Sequence, residues 1–202
     1  MLILLNFRNL IKSKREKNLK DELGVIHGRF QILHNDHLKY LIAGKASCKH
    51  LIVGITNPDP SRTKEEAVDP HRSLPSANPL TYYERYQMIK LALDAKGLNH
   101  DEYSLVPFPI NQPELYKYYV PLDAIFYLTI YDEWGRKKEQ YFQELKLETR
   151  ILWEKPKAEK GITSSRIRAL IMSKKKWMDL VPIEVYEFLL ELDIEERLNN
   201  IQ

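Results

Sequence analysis

Gly28-Arg29-Phe30-Gln31-Ile32-Leu33-His34-Asn35-Asp36-His37 is the stretch whose reading decides the fold. The apolar run Leu23-Gly24-Val25-Ile26 precedes it and reads as a buried strand. Leu38, Tyr40, Leu41, Ile42 and Ala46 follow on what reads as the apolar side of a helix. Two imidazoles, His34 and His37, therefore stand where a first strand hands over to a first helix. In open α/β sheets that turn lies at the carboxyl edge, where ligands bind. A helix start there offers unpaired N–H groups and partial positive charge, which suits phosphate. Arg29 adds a fork of donors, and the histidines can donate to phosphate oxygens. The same residues also read as a structural or surface histidine pair, or as part of a metal site with Asp36. Zinc needs at least three protein ligands, and no Cys cluster or H-E-x-x-H helix supplies the others, so a protein-held metal is not expected.

Outward from that stretch, the chain alternates strands and helices. His50-Leu51-Ile52-Val53-Gly54-Ile55 reads as a second strand, and strand–helix–strand over about 30 residues is a right-handed parallel crossover. The long segment from Thr56 to Pro79, with Arg62 and Arg72, starts at the carboxyl end of that strand. It reads equally as a lid over the site or as a solvated loop. Thr81 with Glu84 predicts a capping box for a helix running to about Lys96. The cap accounts for that segment, so its residues are left out of the site. Tyr103-Ser104-Leu105-Val106-Pro107-Phe108, Ala124 to Thr129 and Thr149 to Trp153 read as three more strands. After the third strand comes Asn111, either a turn residue or a hydrogen-bonding contact. After the fourth come Asp132 and Trp134.

The second informative stretch is Gly161-Ile162-Thr163-Ser164-Ser165-Arg166-Ile167-Arg168. Its hydroxyl residues predict an N-cap, and Ile167, Leu170 and Ile171 predict a helix face. It is a second positive helix start in the same chain, and it carries Arg168.

Composition narrows the classes. The chain has 202 residues, 44% hydrophobic and 29% charged, as a soluble domain with a real core would have. Residues 1–20 hold six basic side chains against Glu16, more than the whole net charge of +3. The remainder is slightly acidic, so a nucleic-acid surface across the fold is not expected. Those residues read as a basic N-terminal extension to a domain at 21–202. They run apolar then basic, the wrong order for a secretory signal. No apolar run approaches the roughly 20 residues of a spanning helix. The single cysteine, Cys48, rules out an intrachain disulfide, and a cytoplasmic protein is expected.

Gly28-Arg29-Phe30-Gln31 with His34-x-x-His37 resembles the first signature of the nucleotidyltransferase superfamily, G-R-F-Q-P-x-H-x-G-H. Ile162 to Arg168 resembles its closing motif, I-S-S-T-x-I-R, and Trp177-x-x-Leu180-Val181-Pro182 its C-terminal W-x-x-L-V-P. Within that superfamily the chain resembles the archaeal-type branch of nicotinamide/nicotinate mononucleotide adenylyltransferases. Ile32 replaces the usual Pro, Asp36 the usual Gly, and Pro109 the acid of the branch's P-x-P-D-I-N segment.

The resemblance implies a three-layer, Rossmann-like α/β domain with a parallel sheet of about five strands. It implies His34, His37 and Arg168 as catalytic residues. Gly28, Arg29, Phe30, Asp132, Trp134, Thr163, Ser164 and Ser165 would bind the nucleotide, and Asn111 the acceptor. The implied reaction transfers AMP from ATP to a phosphate monoester, above all nicotinamide or nicotinate mononucleotide. Mg²⁺ would accompany the triphosphate. CTP with another phosphorylated or phosphonate acceptor is the alternative. A homo-oligomer is compatible with the sequence. Asp36 falls where an acid would repel a triphosphate, which keeps a third reading open: a nucleotide-binding regulator without catalysis.

Overall fold

A computed structural model describes residues 20–60 and 74–201. The N-terminal extension up to residue 19, and Arg62 and Arg72 of the long loop, lie outside the described residues.

Five strands form one parallel sheet: β1 (Asp21–Gly28), β2 (Cys48–Thr56), β3 (Tyr103–Phe108), β4 (Ile125–Ile130) and β5 (Thr149–Glu154). Their order is β3-β2-β1-β4-β5, so β1 is central. The order reverses between β1 and β4, and the crevice above that switch point is where this architecture binds ligands.

The sheet is covered on both faces, which is why its strands read as nearly continuous apolar runs. Alternate residues serve the two faces. Ile26, Val53 and Tyr127 belong to one core cluster, and Val25, Ile52 and Phe126 to the other. The first cluster takes in α1 (Asn35–Ser47), α2 (Tyr82–Asp94), α4 (Ser164–Met172), α5 (Ile183–Glu191) and α6 (Ile194–Asn200). The second lies under α3 (Glu133–Glu144) and the short turn Pro113–Tyr118, through Phe142 and Tyr116. Helices, sheet and helices make the three layers expected from the sequence.

Capping sets where the helices start. Thr81 accepts the N–H of Glu84 while Glu84 accepts that of Thr81, completing the capping box. His34, Asp132 and Thr163 cap α1, α3 and α4 through their own side chains. Three of the predicted site residues are thus also the residues that start helices at the carboxyl edge. No helix among the described residues is long and apolar enough to cross a membrane.

Candidate active site

A cavity of about 410 Å³ opens over the carboxyl edge of β1 and β4. It is lined by both signature stretches: Gly28 to Gln31, His34, Asp36 and His37 from the first, and Gly161 to Ser165 from the second. Residues 126 positions apart in sequence thus share one wall.

The first stretch is built to hold an unusual backbone. Phe30 is buried with φ 51, and its ring folds back over Gly28, where a Cβ would lie 2.8 Å from it. Gln31 locks the loop to the entry of α2: its amide donates to the Leu80 carbonyl at 2.8 Å and accepts the Leu80 N–H at 2.9 Å. Arg85 completes the frame. Its guanidinium, only 2% exposed on a residue basis, donates to the carbonyls of Arg29, Thr56, Asn57 and Thr81. It ties the ends of β1 and β2 to α2. Sequence reading left Arg85 out because the capping box explained its neighbourhood. The available signal was its place on the buried face of α2, in step with Met88, Ile89 and Ala92.

His34 and His37 are stacked, with ring centroids 3.6 Å apart and planes at 19°. His34 Nδ1 accepts the His37 backbone N–H at 3.3 Å, so the proton of the neutral ring is on Nε2. Burial pushes the His34 pKa down to about 4. His37 is lowered well below its ordinary value, first by burial and then by His34, with Arg29 adding to the effect. A backbone hydrogen bond at Ile32 and the charge of Asp36 act the other way. The buried Nδ1 of His37 has no hydrogen-bond partner. The neutral His34 ring keeps its Nε2–H as a donor at the helix start, which suits an incoming phosphate oxygen; a second donor from His37 requires its protonated form.

Asp36 lines the cavity with one of its carboxylate oxygens committed to the backbone. Its Oδ2 accepts the backbone N–H of Ile162 at 2.7 Å and so joins α1 to the loop before α4. A Cβ on Gly161 would lie 2.1 Å from that oxygen. Besides the charge it brings to the cavity wall, the carboxylate clamps the two signatures together.

The second stretch contributes a helix start whose hydroxyls are already engaged. Thr163 Oγ1 accepts the Arg166 N–H, Ser164 Oγ donates to the Ile32 carbonyl at 2.8 Å, and Ser165 Oγ accepts from Arg168 at 3.2 Å. Arg168 does not line the cavity. It is buried behind it, with Nη1 on the Gln31 carbonyl. Burial and the nearby charge of Arg29 lower its pKa to about 10. Burial lowers Arg85 to about 10 as well, Tyr82 partly offsetting this and Arg29 adding to it. Arg29 is therefore within electrostatic reach of Arg85, Arg168 and His37, a concentration of positive charge that calls for a polyanion.

At the other end of the cavity stand Asp132, Trp134, Lys138 and Trp153. Asp132 caps α3 through the Gly135 N–H and pairs with Lys160 at 3.2 Å. Lys138 lies 4.9 Å over the Trp134 ring. His27, which sequence reading passed over, also lines the cavity from the end of β1. Asn111 is elsewhere. It lines a second cavity of about 300 Å³, with Asn57 and Ile110 common to both.

Fold and site together define a nucleotidyltransferase: two phosphate-suited helix starts meet over the switch point of a parallel sheet. The cytidylyltransferase-like family model matches residues 25–170, and the chain belongs to that family. It is 46% identical over 175 residues to a phosphonoformate cytidylyltransferase of Streptomyces viridochromogenes, covering 87% of this chain and 94% of the relative. It is 31% identical over 182 residues to a nicotinamide-nucleotide adenylyltransferase of Thermococcus onnurineus, covering 87% and 86%. Among solved structures it superposes with a TM-score of 0.65 and 16% identity on a bifunctional NMN adenylyltransferase/ADP ribose pyrophosphatase from Francisella tularensis. That match covers 90% of this chain and 52% of the other, and it bears on the fold alone.

Proposed function

We propose that the chain transfers a cytidylyl group from CTP to a small acceptor carrying a phosphonate or phosphate group, with release of pyrophosphate. The observation that carries donor and acceptor is the 46% identity to a phosphonoformate cytidylyltransferase over 94% of its length. Similarity to the adenylyltransferases is lower, 31% for the Thermococcus onnurineus enzyme. Transfer of AMP from ATP to a pyridine mononucleotide is the second reading. Its support is the motif resemblance and the cavity beside Asn111.

In this mechanism an oxyanion of the acceptor attacks the α-phosphorus of the triphosphate. A P–O bond forms to the acceptor, the bond to the bridging oxygen of the β-phosphate breaks, and pyrophosphate leaves with the electron pair. A phosphate monoester, with a second pKa near 6, is already largely a dianion at neutral pH and needs no general base. The protein's task is in-line positioning and charge neutralisation. His34 and His37 supply donors at the start of α1, and the free N–H groups of Ser164 and Ser165 do so at the start of α4. Arg29 supplies charge on the cavity wall, and Arg168 and Arg85 fix the loop that presents it.

Mg²⁺ belongs to this proposal as a companion of the triphosphate, where it would neutralise charge between phosphate oxygens. The acids on the cavity wall, Asp36 and Asp132, are engaged by Ile162 and by Gly135 and Lys160.

The test is pyrophosphate release with Mg²⁺, crossing CTP and ATP with phosphonoformate, nicotinamide mononucleotide and nicotinate mononucleotide. Release with CTP and phosphonoformate is expected. Release only with ATP and a pyridine mononucleotide would replace this reading by the second. Nucleotide binding with no release in any pair would favour the regulator.

A further inference from the structure

His27 is a buried polar group without a structural task. It follows Val25 on the face of β1 that packs on the second core cluster, away from α1 and its two histidines. Its ring lies 5.5 Å from that of Phe108 and 5.1 Å from that of Phe142. The residue is 6% exposed, and neither ring nitrogen has a hydrogen-bond partner. Buried polar atoms in folded proteins are nearly always paired. A phenylalanine would satisfy these aromatic neighbours at least as well, so packing does not account for an imidazole here.

The position suggests the account that packing lacks. His27 lines the active-site cavity together with Lys138 of α3. The two are close enough for the charge of Lys138 to add to burial in lowering the His27 pKa. In-line displacement places the attacking and leaving oxygens on opposite sides of the α-phosphorus. The starts of α1 and α4 serve the triphosphate and its leaving pyrophosphate. A second group of basic side chains, on the other face of β1, is then placed for an anionic acceptor.

We propose that His27 and Lys138 bind a carboxylate of the acceptor, selecting a small acid that carries a carboxylate beside its phosphonate group. The inference rests on the reading of the chain as a cytidylyltransferase for such acceptors. Lys138 supplies the charge, and the imidazole N–H supplies a directed donor.

The test compares phosphonoformate with methylphosphonate, which lacks the carboxylate, using CTP and the full chain. His27→Phe keeps the aromatic packing and removes both nitrogens; His27→Asn keeps a donor; Lys138→Met removes the charge. His27→Phe is expected to raise the KM for phosphonoformate about tenfold, with kcat and the KM for CTP moving far less. It should also shrink the preference for phosphonoformate over methylphosphonate. His27→Asn should retain more of that preference than His27→Phe, and Lys138→Met should reduce it. If His27→Phe fails to give the wild-type circular dichroism spectrum, the other two variants decide. An unchanged preference, or an equal loss on both acceptors, would overturn the role of His27. A wild-type chain that releases no pyrophosphate with CTP and phosphonoformate would instead overturn the proposed reaction.

Discussion

The carboxylate of Asp36 accepts the backbone N–H of Ile162 at 2.7 Å, so the helix that carries His37 and the loop that opens α4 are one unit. Gly161 makes room for it, since any Cβ there would meet the same oxygen at 2.1 Å. A hydrogen bond to a charged acceptor contributes about 1.5–3 kcal/mol, the lower end applying to this half-buried site. Asp36→Gly should therefore cost about 1.5 kcal/mol in urea unfolding and weaken triphosphate binding. Gly161→Ala should break the same contact from the other side. The double variant should lose clearly less than the two single losses combined. Full additivity would mean that the clamp does not couple the two stretches.

The buried histidines predict a particular pH dependence. The His34 pKa is pushed from its ordinary 6.5 to about 4, and His27 and His37 are also lowered by burial. As pH falls through 6.5 the unfolded chain takes up protons that the folded chain refuses. Stability is complete above about pH 6.5 and is lost as pH falls toward 4. His34 contributes a slope approaching about 1.4 kcal/mol per pH unit in that interval, and His27 and His37 act in the same direction. Urea unfolding at pH 7.5, 6.5 and 5.5 should show the onset, before carboxylates titrate. His27→Phe should flatten the slope. A stability independent of pH across this range would contradict neutral buried rings.

Triphosphate binding should reverse part of that effect. A polyanion beside His34 and His37 favours their protonated forms, so binding should take up protons. Titration calorimetry in buffers of different ionisation enthalpy measures the number directly. His37→Ala should lower proton uptake and reduce kcat more than it raises KM, as expected for a donor used in the transition state. An unchanged kcat would remove His37 from that role.

Arg85 holds four carbonyls from three segments, and no other cation replaces that fork geometry. Arg85→Lys should destabilise the fold by about 2 kcal/mol and lower kcat/KM by more than tenfold, because the loop it frames carries Arg29 and Gln31. Arg168→Lys should act on the same loop through Gln31 and weaken CTP binding. Unaltered nucleotide affinity in both variants would show that the loop is held by other means.

The fold was legible because its signals are local. Continuous apolar runs bounded by turn residues located all five strands, and β3 was placed at Tyr103–Phe108 with its exact limits. The cap at Thr81 was readable because a cap and its partner lie three residues apart, and the hydroxyl run at 163–165 marked a helix start whose cap is Thr163. The candidate site was legible in its two signatures and less so between them. Asp36 looked like an intruder because its partner, Ile162, is 126 residues away. Arg85 was hidden by a capping box that explained its neighbours. His27 read as one more strand residue, since nothing local says that its ring nitrogens have no partner. Asn111 was placed by motif alone, and it lines the neighbouring cavity.

The most direct measurement follows an oxygen. Phosphonoformate carrying ¹⁸O on phosphorus is incubated with CTP, Mg²⁺ and the protein, and the products are resolved by ³¹P NMR. Attack on the α-phosphorus predicts a cytidylyl conjugate with ¹⁸O in its P–O–P bridge and pyrophosphate free of label. A product phosphorylated from the γ-position, or CMP and pyrophosphate with no conjugate, would contradict nucleotidyl transfer to the acceptor.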